Sequence, residues 1–122
     1  EIDTLNIYHA THLAMRRAFA ALSVIPVAAL VDGNADPDLP CPTEMLVDGD
    51  VIAPTISAAS IIAKTHRDAL MAELCAKYPG YGFAKHKGYG VPEHQAALKA
   101  LGPCAIHRRS FKPIQAALLR VA

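Results

Sequence analysis

No stretch of these 122 residues approaches the length of apolar sequence that spans a bilayer, so no membrane association is expected. An excess of one charge is missing as well. The formal net charge is +1, which by itself predicts no nucleic-acid partner. Cysteine is scarce: Cys41, Cys75 and Cys104 are odd in number, widely spaced and without a CxxC pair. That excludes a zinc ribbon and a disulfide framework and fits a reducing, cytoplasmic setting. The opening Glu1-Ile2-Asp3 is not a basic region ahead of an apolar core, so no secretory leader is expected. An initiating methionine is lacking too, and a helical pattern begins almost at once, so the chain is expected to be part of a longer polypeptide. Internal repeats, linkers and low-complexity segments are also absent, which leaves a single globular domain over residues 1–122.

What the chain does have is centred on residues 27–68, where two short apolar runs each lead to an acidic residue. Residues 27–31 and 44–47, bounded by Gly, Pro and Asn, read as buried strands. The first delivers Asp32 and the second Asp48-Gly49-Asp50. Asp48 and Asp50 share a face if extension persists through Gly49. Between them lies a proline-rich loop that cannot be regular structure. Upstream, Asn6 is a plausible N-cap for an amphipathic helix over residues 7–22. Ile7, Ala10, Ala14, Ala18 and Ala21 form its apolar stripe, and Arg16 and Arg17 its wetter side. His9 and His12, three apart with no third ligand beside them, read as surface histidines.

Downstream, Pro54 and Thr55 open the longest helix, and Tyr78-Pro79-Gly80 stops it. Its first turns, Ser57-Ala58-Ala59-Ser60, are small enough for tight packing on a sheet. Lys64 and Arg67 read either as solvated surface charge or as groups reaching for phosphate. The stretch PGYGFAKHKGYG combines glycine, aromatics and positive charge. It suits contact with a sugar-phosphate backbone, and equally an ordinary surface loop. Helices over residues 92–101 and 114–121 complete the chain.

Two chemistries compete for the acidic residues. Asp32, Asn34, Asp36 and Asp38 alternate like the start of an EF-hand loop, but Pro37 stands where Gly is needed and Thr43 where Glu is needed. The better reading is a hydrolase whose Mg²⁺ or Mn²⁺ ions sit on Asp32 and Asp50, with Asp48 and Asp68 in outer positions.

The segments VDGN, GD followed by PTISAASIIAKTHRD, YPGYGFAKHKGYG and GPCAIHRRSF resemble bacterial ribonuclease HII in order and spacing, and LNIYHATHLAM extends the likeness to almost the whole chain. The resemblance implies an α/β ribonuclease H-like fold, a mixed sheet flanked by helices. It implies an endonuclease that cuts RNA paired to DNA, 5′ to a ribonucleotide, including a single one embedded in duplex DNA. Mn²⁺ or Mg²⁺ is the implied cofactor, and the RNA–DNA hybrid or ribonucleotide-containing duplex the implied partner of a monomer. Carried over by position, Asp32 and Asp50 match metal-binding catalytic carboxylates. Tyr89 matches the tyrosine that meets the nucleic acid at the ribonucleotide junction, and Lys64 a supporting substrate contact. The family's DE-x-GRG segment, with its other two carboxylates, has no counterpart here; no Asp-Glu pair occurs at all. The chain is therefore expected to be a partial catalytic domain, truncated at the N-terminal strands and inactive alone. A non-catalytic module that binds hybrid duplex is the alternative. Two further departures are Asp48, where the family usually has a basic residue, and Val91, where it has a capping Thr.

Overall fold

The computed structural model describes residues 1–119, in the order α1 (Ile2–Ala20), β1 (Ala29–Asp32), β2 (Thr43–Leu46), α2 (Gly49–Ile52), α3 (Pro54–Lys77), α4 (Phe83–His86), α5 (Pro92–Leu101) and α6 (Lys112–Leu118). It is an α/β chain that divides into two compact units, residues 1–63 and the residues from Lys64 onward.

In the first unit, β1 and β2 pair in parallel, Ala29 opposite Thr43 through to Asp32 opposite Leu46. The mixed sheet of the sequence-based expectation is represented, among the described residues, by this parallel pair alone. Exposure along β1 alternates, Ala29 and Val31 turned inward and Leu30 and Asp32 outward, as the two-residue period of a strand requires. Both strands lie within two residues of their expected bounds.

Helix α1 starts earlier than expected, yet Asn6 does cap. Its backbone leaves the helical region (φ 67°, ψ 169°), and its side-chain oxygen accepts a hydrogen bond from the His9 N–H at 3.2 Å. The stripe expected to pack does so only at Ala10, which is half-buried. Ile7, Ala14, Ala18 and Ala21 are exposed, whereas Leu13, Met15 and Phe19 are half-buried. Alanine periodicity alone marks a helix, but the larger side chains decide which face is buried, because burial scales with apolar area. Arg16 and Arg17 are on the wet side as expected. Arg16 donates to the Pro37 carbonyl at 2.8 Å, which ties down the proline-rich loop, and Arg17 pairs with Glu1 at 2.6 Å.

α3 opens at Pro54 and ends before Tyr78, as the prolines and Gly80 require. Its small residues are not packed: Ala58, Ala59 and Ser60 are exposed, and so are Ile61 (64%) and Ile62 (71%). The expectation of tight packing on a sheet is corrected for those positions.

The second unit has an aromatic core. Phe83 is 2% exposed and stacks on Tyr81 with ring centroids 5.2 Å apart and planes 3° from parallel. Met71 completes the buried cluster, with Leu74, Cys75, Tyr78, Ala97, Cys104 and Ile106 packed against it. Tyr81 donates its hydroxyl proton to the Gly102 carbonyl at 2.7 Å, and burial pushes that phenol above its ordinary value. α5 begins and ends where Pro92 and Gly102 place it. α6 starts two residues before the expected helix, and residues 120–121 of that expectation lie outside the described residues.

Candidate active site

Asp32 is the last residue of β1, the position that the sequence pattern assigned to it. Its Oδ1 accepts a hydrogen bond from the Gly49 N–H at 2.8 Å, so the first backbone donor of α2 fixes the carboxylate. The close approach depends on glycine. A Cβ on Gly49 would lie 2.7 Å from Ile56 Cδ1, 3.2 Å from Asp32 Oδ1 and 3.3 Å from Leu46 Cβ. A cleft of about 380 Å³ opens beside Asp32, lined also by Tyr8, Thr11, His12, Met15 and Asn34. His12 was read from the sequence as an unremarkable surface group, because nothing in its i, i+3 spacing with His9 points to a distant strand end. The structure places it on the same cleft as Asp32.

Asp50 is not at a strand end. β2 stops at Leu46, Asp48 turns left-handed (φ 54°, ψ 36°), and Gly49–Ile52 is helical. Asp50 therefore sits in the first turn of α2, next to the residue that holds Asp32, where a helix N-terminus favours negative charge. Extension does not persist through Gly49, so the shared strand face expected for Asp48 and Asp50 is replaced by a turn and a helix start. Asp36, from the rejected EF-hand pattern, accepts the Asp38 N–H in a local turn at 2.8 Å.

The carboxylates are hard oxygen donors of the kind that Mg²⁺ and Mn²⁺ take, one or two per ion with water and phosphate completing the shell. Asp32 is held with one oxygen occupied by an N–H and the other without a hydrogen bond among the described residues. Among those residues, no group of three or more His, Cys, Asp or Glu side chains gathers to hold an ion. The donor type fits a dication, and the described residues supply fewer donors than a complete site gathers.

In the second unit, Lys64 and Asp68 pair one helical turn apart on α3 at 2.8 Å. The hydrogen bond from Lys64 holds the Asp68 carboxyl below its ordinary value and, reciprocally, raises the Lys64 ammonium. Asp68 Oδ1 is buried without a hydrogen-bond partner among the described residues. Tyr89 lies in the loop between α4 and α5 with its side chain largely exposed (62%). The Arg67 guanidinium sits over its ring, 5.3 Å from the centroid, and donates to the Lys87 carbonyl at 2.9 Å. Tyr89 also borders a cavity of about 410 Å³ that Arg67, Arg108 and Phe111 help to line.

Three histidines around this loop escaped the sequence reading. His86 and His94 are buried and stacked 4.6 Å apart, and His107 lies 3.1 Å from His94 between their Nε2 atoms. They are separated by seven and twelve residues of loop and helix, so no periodicity announces them. Their placement on either side of a glycine-rich loop was the available signal.

An α/β chain whose first unit locks a carboxylate at the end of a parallel strand with a second one in the next helix turn, and whose second unit presents a tyrosine in a basic glycine-rich loop, carries groups of the kinds that nucleases use. Similarity to known proteins sharpens that class. The family model for ribonuclease HII matches residues 1–114. Ribonuclease HII of Paracidovorax citrulli is 59% identical over 98% of this chain and 50% of its own length. That of Hyphomonas neptunium is 55% identical over 97% of this chain and 64% of its own length, and that of Burkholderia ambifaria 54% identical over 97% and 54%. The chain belongs to the ribonuclease HII family. It spans about half to two-thirds of the length of these curated relatives.

Proposed function

We propose that the complete protein is an endoribonuclease that hydrolyses RNA in RNA–DNA hybrids. It cuts 5′ to ribonucleotides, including single ones embedded in duplex DNA, by two-metal-ion catalysis with Mn²⁺ or Mg²⁺. The observation that carries this reading is the locking of Asp32 at the end of β1 by the first N–H of α2, the helix that bears Asp50. Asp32 and Asp50 hold the ions, and further carboxylates come from outside these residues. When bound, the dications act as Lewis acids on the scissile phosphate. This chain's own groups do the rest. Gly49 keeps the Asp32 carboxylate from rotating, Tyr89 stacks at the ribonucleotide junction, and Lys64, shared with Asp68, offers positive charge to a phosphate. We read both units as parts of one catalytic domain with a ribonuclease H-like fold, a reading supported by a family match that covers residues 1–114. No described helix is long and apolar enough to cross a membrane. We read the protein as a cytoplasmic monomer.

The test uses the full-length protein and a duplex carrying one ribonucleotide. Asp32→Asn and Asp50→Asn are each expected to lower Mn²⁺-dependent cleavage by roughly a hundredfold or more. Product ends map the cut to the 5′ side. Undiminished cleavage by Asp32→Asn would sink the assignment. The second reading, a module that binds hybrid duplex without cutting it, draws on the absence of a three-carboxylate group among the described residues. Salt-sensitive binding without any metal-dependent product would establish it.

A further inference from the structure

The loop that carries Tyr89 is pinned through its backbone while the ring is left outside. The Tyr89 N–H donates to the His86 carbonyl at 2.9 Å, and the Gly88 N–H donates to His86 Nδ1 at 3.2 Å. Gln95 donates to the Gly90 carbonyl at 2.8 Å. The Tyr89 carbonyl faces His94 Nδ1 at 2.9 Å. A carbonyl only accepts, so Nδ1 of His94 carries a proton.

That assignment propagates. His107 Nδ1 accepts the Cys104 N–H at 3.0 Å, so its own proton is on Nε2, which points at His94 Nε2 from 3.1 Å. His94 Nε2 is therefore bare and accepts. The result is one directed chain: Cys104 N–H to His107, His107 to His94, His94 to the Tyr89 carbonyl. That chain is met with one proton on each ring, on Nδ1 of His94 and on Nε2 of His107; Cys104 Sγ, 3.1 Å from His107 Nδ1, then offers its S–H to the same bare nitrogen. A proton added to His94 would set two N–H groups against each other at 3.1 Å. Burial, the largest influence, holds the His107 imidazole below its ordinary value. Phe83 meets His86, His94 and His107 with ring centroids 5.5–6.0 Å away and packs against all three.

We propose that His94, oriented by His107, is a positioning residue for Tyr89: it fixes the backbone of the residue whose ring meets the ribonucleotide junction. The inference rests on the reading of Tyr89 given above. Arg67 contacts the Tyr89 ring directly, whereas His94 meets Tyr89 at its backbone carbonyl.

A double-mutant cycle on the full-length protein tests it, with a duplex containing one ribonucleotide as substrate. His94→Ala is expected to raise KM about tenfold and change kcat by less than about threefold. His94→Asn, whose amide N–H replaces Nδ1–H, restores most of the loss. Tyr89→Ala raises KM by a similar factor, and His94→Ala added to it raises KM no further. Losses that multiply would show that His94 acts elsewhere and overturn the inference while leaving Tyr89 in its role. An unchanged KM in Tyr89→Ala would remove the nucleic-acid contact itself, and the inference with it. Long-range ¹H–¹⁵N spectra of the wild-type imidazoles supply a measurement free of folding defects. Protons on His94 Nδ1 and His107 Nε2 are expected, and a His94 protonated on Nε2 would overturn the relay.

Discussion

The two units solve opposite problems with opposite means. The second builds an aromatic and histidine core around Phe83 and Tyr81 and hangs a presented tyrosine from it. The first holds the two catalytic carboxylates of the proposal on very little: Ile56, Pro37 and Gly49 are its buried residues. Val24, Ile25, Val27 and Val51 remain 75–92% exposed there. Apolar area left in water contributes nothing to folding, so the first unit draws on less hydrophobic stabilisation than the second. A two-stranded sheet has the same difficulty, since a pair of strands is marginal without further strands or a covering layer.

The largest test of that contrast pairs Phe83→Ala with Gly49→Ala in the full-length protein. Removing a ring that is 2% exposed is expected to cost about 3–5 kcal/mol of unfolding free energy in denaturant titrations. Cleavage per folded molecule at saturating substrate falls much less. Gly49→Ala does the converse. Its Cβ pushes on Ile56 and crowds Asp32 Oδ1, which costs about 1–3 kcal/mol as overpacking and displaces the carboxylate. Its activity loss at saturating Mn²⁺ is expected to exceed its stability loss. If the two variants lost activity and stability in the same proportion, the contrast would collapse.

Acid provides a middle-sized test. The folded state holds the His107 imidazole below its ordinary value of 6.5, chiefly by burial. The folded state then binds fewer protons than the unfolded one, so the contribution is fully present above pH 6.5. It is lost as pH falls from there through the depressed folded value. The melting temperature is expected to fall across that window in wild type and to fall less in His107→Gln. An equal slope in both would place the acid sensitivity elsewhere.

How much was legible follows from which interactions are local. The ends of α3 and α5 were readable because Pro54, Pro92, Gly80 and Gly102 act through their own backbone preferences. Asp32 was readable because an apolar run ending on an acid marks a strand end. Asp50 was misplaced onto a strand, since nothing in Val-Asp-Gly-Asp says that Asp48 turns left-handed and starts α2. α4 was missed for a similar reason: Phe83–His86 is a four-residue helix bounded by left-handed Gly82 and Lys87, too short to show a period. The histidine relay shows no period in the sequence, because its partners meet only where α5 and the Cys104 turn pack near Phe83.

The smallest effect concerns Val91, the N-cap of α5. Its backbone is already extended (φ −72°, ψ 160°), Pro92 occupies the first helical position, and no side chain caps the first turn. The Val91 carbonyl accepts the Gln95 N–H at 3.1 Å, so the helix starts without rearrangement. Threonine keeps the branched shape of valine and adds an oxygen that can accept the His94 N–H. A cap of this kind contributes about 1 kcal/mol. Val91→Thr is therefore expected to raise the melting temperature of the full-length protein by about 2–4 °C. The same change firms the backbone of His94, so KM should hold steady or drop slightly. A lower melting temperature would mean that half-buried Val91 contributes more by apolar contact than the missing hydroxyl would add, and that α5 is held by packing and not by its cap.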